Sequence, residues 1–134
     1  MSFATYDVSL ELVRVLANVV PAIKKHDRDL ADQLKRAATS VVLNVNEGRR
    51  RAGGDQRRSF EIASGSAYEV LAAIDAAIAW GWIDDLAVAR RLLDRLLAML
   101  WRLCRARHKP HYAESRIMPS PGRPSVEDSP DDSA

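Results

Sequence analysis

A chain of 134 residues has the length of one domain. It is 47% apolar, 28% charged and only 6% aromatic, with a formal net charge of +2. That composition excludes a disordered or collagen-like chain and favours helix over sheet. With Cys104 as its only cysteine, the chain has no intramolecular disulfide and no Cys-based zinc site.

The first predicted helix begins near Thr5 or Asp7, either of which is a candidate cap. Val8, Leu12, Val15, Leu16, Val19 and Ile23 mark its apolar face. Pro21 falls inside the pattern, where it removes an amide donor and crowds the carbonyl of Ala17. A kink is expected there, or a break with the helix resuming at Ala22. The opening residues show no basic segment followed by an apolar run, so no signal peptide is expected. No window is expected to approach the uninterrupted apolar length of a membrane span, and the expected location is cytoplasmic.

Residues 24–29 (KKHDRD) form a polar turn, and Asp27 or Asp29 is the expected cap of the second helix, which runs to about Glu47. Leu34, Ala37, Ala38, Val41, Val42 and Val45 make its apolar face, while Arg36, Ser40, Asn44 and Glu47 make a second stripe. Gly48 is expected to end it with positive φ. Arg49, Arg50 and Arg51 follow, then Gly53, Gly54 and Asp55, the predicted cap of a third helix reaching about Trp80. Arg57 and Arg58 open that helix, where positive charge opposes the dipole. Phe60, Ala63, Ala67, Leu71, Ile74 and Ile78 form its apolar face, and Ser64, Gly65 and Ser66 are small enough for a close backbone approach.

Ala38, Ser40, Val41, Asn44, Glu47 and Gly48 spell A-x-S-V-x-x-N-x-x-E-G, and Ile62, Ala63, Gly65, Ser66 and Glu69 spell I-A-x-G-S-x-x-E. Together, with a basic glycine-containing loop between them, these motifs resemble the 23S rRNA intervening-sequence protein family, also called four-helix bundle proteins. The resemblance runs from about Leu12 to Leu103 and implies an antiparallel up-down four-helix bundle that assembles into a homopentamer. Members of that family are often encoded inside intervening sequences of rRNA genes. A related group serves the reverse transcriptases of diversity-generating retroelements. The resemblance thus implies RNA or DNA as a partner, or a protein such as a reverse transcriptase.

The fourth predicted helix, capped by Asp84 or Asp85, is the most apolar. Leu92, Leu96, Met99 and Leu103 make one stripe; Leu93, Leu97, Leu100 and Cys104 make another beside it. Together they span an arc of roughly 160°, wider than one core usually takes. The first stripe is therefore expected to face the bundle and the second (Leu93, Leu97, Leu100, Cys104) another subunit. After residue 109 the chain becomes rich in Pro, Ser and acid, so the expected division is a bundle over 1–109 and a disordered tail over 110–134. Residues 110–134 carry two arginines against five carboxylates, a net of −3, which leaves +5 on the bundle.

Arg49, Arg50, Arg51, Arg57 and Arg58, extended by Lys35 and Arg36, are the candidate nucleic-acid contacts. Arg102, Arg105, Arg107 and Lys109 either extend that surface or complement a helix C-terminus. Ser40, Asn44, Glu47, Gly48, Gly65, Ser66 and Glu69 are expected to be structural, fixing the register of the hairpin through interhelical hydrogen bonds or ion pairs with Arg36 or Arg58. No nucleophile or histidine accompanies Glu47 and Glu69, so an acid–base pair is not expected. His108, His111 and Glu114 have ligand spacing on a helix, but Pro110 argues against a continuous helix there. Trp80, Trp82 and Trp101 are candidates to stack on bases, but the expected role is to plug a bundle end or an interface. No P-loop, dinucleotide fingerprint or metal cluster is legible, so no enzyme, cofactor or metal is expected.

Overall fold

The computed structural model describes residues 3–115, with side chains over 3–105. All of its regular structure is helical. The helices are α1 (Ala4–Leu16), α2 (Val20–Lys24), α3 (Arg28–Arg50), α4 (Gly53–Ala79) and α5 (Ala87–Ser115).

The Pro21 disruption falls earlier than expected. α1 closes at Leu16, and Val19 N–H bonds Leu16 O at 2.8 Å. α2 then opens at Val20 with Pro21 in its first turn, where the missing amide has no intrahelical partner to lose. Neither Thr5 nor Asp7 caps α1: Phe3 is the N-cap, and Thr5 is buried. Asp27 caps α3 as expected, its Oδ1 accepting from Leu30 N–H at 3.0 Å.

α4 retraces α3. Gly48 meets Phe60, and Ser40 meets Ser66 about two turns further along. Phe60 also stacks on Phe3 with ring centroids 6.4 Å apart, which brings the start of α1 to the α3–α4 loop. At the opposite end of α4, Arg90 of α5 bonds Asp75 Oδ1 at 2.5 Å. The core between these ends is made of Leu12, Ile23, Leu34, Val41, Val45, Phe60, Val70, Ile74, Leu93, Leu96 and Leu100, all essentially inaccessible.

The positive φ expected at Gly48 is found at Gly53 instead. Gly48 lies inside α3 and is buried, so it does not terminate the helix. A Cβ there would sit 2.4 Å from Phe60 Cε1, so the missing side chain is what lets the aromatic ring seat. The chain reversal falls to Gly53, with φ +61. α4 starts behind Ala52 with no side-chain cap, so Asp55 lies in the first turn and caps nothing.

The two-stripe reading of the last helix is corrected. Leu93 and Leu100, assigned to a subunit interface, are fully buried in the chain's own core together with Leu96 and Ala89. Leu97 and Cys104 are half-buried on one flank, as Leu92, Met99 and Leu103 are on the other. The helix turns the line between the stripes toward the core, so each stripe gives up its inner members. α5 also continues to Ser115, so the boundary expected at residue 110 falls inside a helix. The remainder of the tail, 116–134, and the side chains of His108, His111 and Glu114 lie outside the described residues.

The expectation that no window approaches the apolar length of a membrane span is corrected: α4 is long and apolar enough to cross one by length and composition, although it packs on α3 and α5 and carries Glu69 and Asp75.

Candidate nucleic-acid interface

The arginines are positioned by the end of α3 and the start of α4. Arg49 and Arg50 form the last turn of α3, Arg51 is its C-cap, and Arg57 and Arg58 stand in the first turns of α4. Gln56 ties the two helices together: its Nε2 donates to Gly48 O and to Arg51 O, each at 2.9 Å. Two C-terminal carbonyls of α3 are thereby satisfied by a side chain from α4. Sequence patterning offered no signal for Gln56, because its acceptors are backbone atoms of another helix.

The five guanidinium groups are not equivalent. Arg51 Nε lies 2.5 Å from Glu47 Oε2, and Arg57 Nε lies 3.2 Å from Glu61 Oε2. Arg49 lies over the Tyr6 ring at 4.6 Å, a contact that leaves its charge intact. Arg50 and Arg58 are exposed and make no ion pair with another described residue. Glu47, Asp55 and Glu61 stand among the five arginines, so the local net charge is +2. The uncapped amides at the start of α4 add a positive dipole end to the same surface.

Lys35 and Arg36 do not join this patch. They lie fourteen residues before Arg49 and Arg50, roughly 20 Å along α3. Lys35 borders an apolar groove of about 290 Å³ with Val13, Leu16, Val20 and Pro21. Arg36 lines a polar groove of about 510 Å³ with Gln33, Ser40, Ser66 and Glu69. From the other direction, α5 brings basic groups close. Cys104 feels the charges of Glu61 and Arg57, and Arg105 lies 4.4 Å over the exposed Trp101 ring. Burial, with Glu61 next, pushes the Cys104 thiol pKa up, and Arg57 partly opposes them.

The motif residues separate by role. Ser40 Oγ and Ser66 Oγ are 2.8 Å apart across the helices. Asn44 Nδ2 donates to Ser40 O at 2.9 Å and to Ser40 Oγ at 3.2 Å. This network spans the hairpin at one level. Glu47, by contrast, pairs within its own helix, with Arg51 rather than with Arg36 or Arg58. Glu69 shares the polar groove with Arg36. Gly65 is exposed with nothing within 4 Å of an added Cβ, so within this chain it makes no close approach.

Leu43, Ile62 and Tyr68 are 61%, 45% and 59% exposed. Leu43 shares its stripe with Arg36, Ser40 and Glu47, and Ile62 shares its stripe with Ser66 and Glu69. Large apolar groups therefore border the serine seam on the outer face of the α3–α4 hairpin. Among the described residues, no three His, Cys, Asp or Glu side chains gather as metal ligands.

A sequence model described as the 23S rRNA-intervening sequence protein matches residues 2–102. No curated protein and no solved structure matched the chain.

Proposed function

We propose, from the premise that this chain belongs to the 23S rRNA-intervening sequence protein family, that it is a non-catalytic, cytoplasmic accessory protein holding RNA or DNA by its phosphate backbone. The observation that carries this reading is the convergence of Arg49, Arg50, Arg51, Arg57 and Arg58 around an uncapped helix start. Exposed guanidinium groups and free first-turn amides are what a phosphate chain binds. Arg58 weighs most, because dipole complementarity explains cations at the end of α3 but not at the start of α4, where Arg57 is paired with Glu61.

A local charge of +2 makes the patch of one chain a weak ligand, so the reading requires several copies acting together. We read the four long helical arms as an antiparallel up-down bundle that forms a homo-oligomer, a pentamer by analogy with the family. Because Leu93 and Leu100 are consumed by the chain's own core, the contact surface moves to the outer face of the α3–α4 hairpin, around Leu43, Ile62 and Tyr68.

Fluorescence anisotropy with 20-nucleotide RNA and DNA at 50 and 200 mM salt tests the function. Three phosphate contacts predict a roughly 20-fold loss of affinity over that range for each chain engaged, multiplied over the copies that bind together. Reversing Arg49, Arg50 and Arg58 to Glu removes the salt-sensitive part of the binding; absence of salt-sensitive binding by the unaltered protein at low salt ends the proposal. The second reading, a scaffold for a protein such as a retroelement reverse transcriptase, draws on the same exposed apolar groups. It predicts recovery of a protein partner after nuclease treatment that the charge reversals leave unchanged.

A further inference from the structure

At the end of the hairpin remote from the arginines, three rings lie nearly parallel. Trp82 stacks with His26 at a centroid separation of 5.4 Å and an interplanar angle of 0°, and with Trp80 at 5.6 Å and 11°. The backbone holds this cluster. Trp82 N–H bonds Ala77 O and Gly81 N–H bonds Ile78 O, both at 2.9 Å, with Gly81 at φ +80. That is a Schellman closure of α4, and it places Trp80 and Trp82 at fixed positions on either side of the glycine. Trp82 is partly buried and packs against the core. It thus fills the bundle end as expected of a tryptophan. Trp80 does not: it is 71% exposed.

We propose that His26, Trp80 and Trp82 form a stacking platform for the bases of single-stranded nucleic acid, a site separate from the arginine patch. The length of α3 puts roughly 35 Å between them. A rigid, exposed indole aligned with two other rings offers a flat face whose ordering cost is already met by the fold. Every base has a π-face, so such a platform takes bases without regard to sequence. The surrounding charges give a cationic ligand no net attraction, and a stacked base needs none. Asp85 is paired with Arg90, which leaves Asp27, Asp29 and Asp84 as the neighbouring carboxylates. Lys24, Lys25 and Arg28 flank His26, are exposed and make no ion pair with another described residue. With cations and carboxylates nearly balanced, attachment here is driven by stacking and is nearly independent of salt.

The test is tryptophan quenching by single-stranded decamers, dA10 and rA10, in 0.5 M salt, with an abasic decamer as control. Both adenine decamers are expected to quench, and the abasic strand is not. Trp80→Ala weakens binding about 5- to 100-fold, while Trp80→Phe retains most of it. Circular dichroism confirms folding, which an exposed residue leaves intact. Charge reversal at Arg49, Arg50 and Arg58 leaves the high-salt binding unchanged, so failure of the arginine patch and failure of this platform are read separately. Equal binding by the abasic strand, or unchanged binding by Trp80→Ala, overturns the proposal. Self-association of the free protein that Trp80→Ala abolishes also overturns it, by assigning the platform to a second copy of the chain.

Discussion

Gly48→Ala is the sharpest probe of the hairpin, because two well-characterised effects oppose each other there. In a helix interior alanine is favoured over glycine by about 1 kcal/mol, so an unobstructed substitution stabilises. The site is not unobstructed. The added methyl would lie 2.4 Å from Phe60 Cε1, 2.6 Å from Cδ1 and 3.0 Å from Cζ, against a ring that is 1% exposed. The ring is held on another side by Phe3, so it must shift by about 1 Å or drag α4 with it. Overpacking of this kind costs typically 1–3 kcal/mol, and a clash with a caged aromatic ring belongs at the upper end. The net expectation is a loss of about 1–2 kcal/mol, which for a bundle of this size lowers Tm by roughly 4–15 °C. Urea unfolding at fixed protein concentration measures it as a lower midpoint with unchanged slope. The decisive comparison is the same change in a Phe60→Leu background. With the ring gone only propensity remains, and Gly48→Ala becomes neutral or stabilising. An equal loss in both backgrounds, or a gain in the parent, would refute the close-approach explanation.

Three further expectations follow from other parts of the hairpin. Ser66→Ala, which removes the buried partner of Ser40, costs about 1 kcal/mol, and adding Ser40→Ala costs less than its effect alone, as a double-mutant cycle will show. Gln56→Ala strips the cap from the end of α3, so amide hydrogen exchange quickens over residues 49–53 while the middle of α3 keeps its protection. Alkylation of Cys104 by iodoacetamide rises with pH to a midpoint above the ordinary thiol range, because burial and Glu61 disfavour the thiolate; Glu61→Gln lowers that midpoint and Arg57→Gln raises it.

Much of this molecule was legible in one dimension. The spacing of Leu34, Ala37, Ala38, Val41 and Val45 marked the buried face of α3, Asp27 announced its start, and the paired Ser40 and Ser66 motifs announced a hairpin. These are local properties: a helical period and a cap need no knowledge of what the helix meets. What the tertiary structure decided was every rotation and every partner. Leu93 and Leu100 read as a second apolar stripe because periodicity measures the width of a face, not the angle at which the helix is turned to its neighbours. Gly48 read as a terminator because nothing nearby in sequence reveals that Phe60 lies against it. The pairing of Arg51 with Glu47, the aromatic partners of Arg49 and Arg105, and the parallel rings of His26, Trp80 and Trp82 likewise depend on distances that exist only once the chain has folded back on itself.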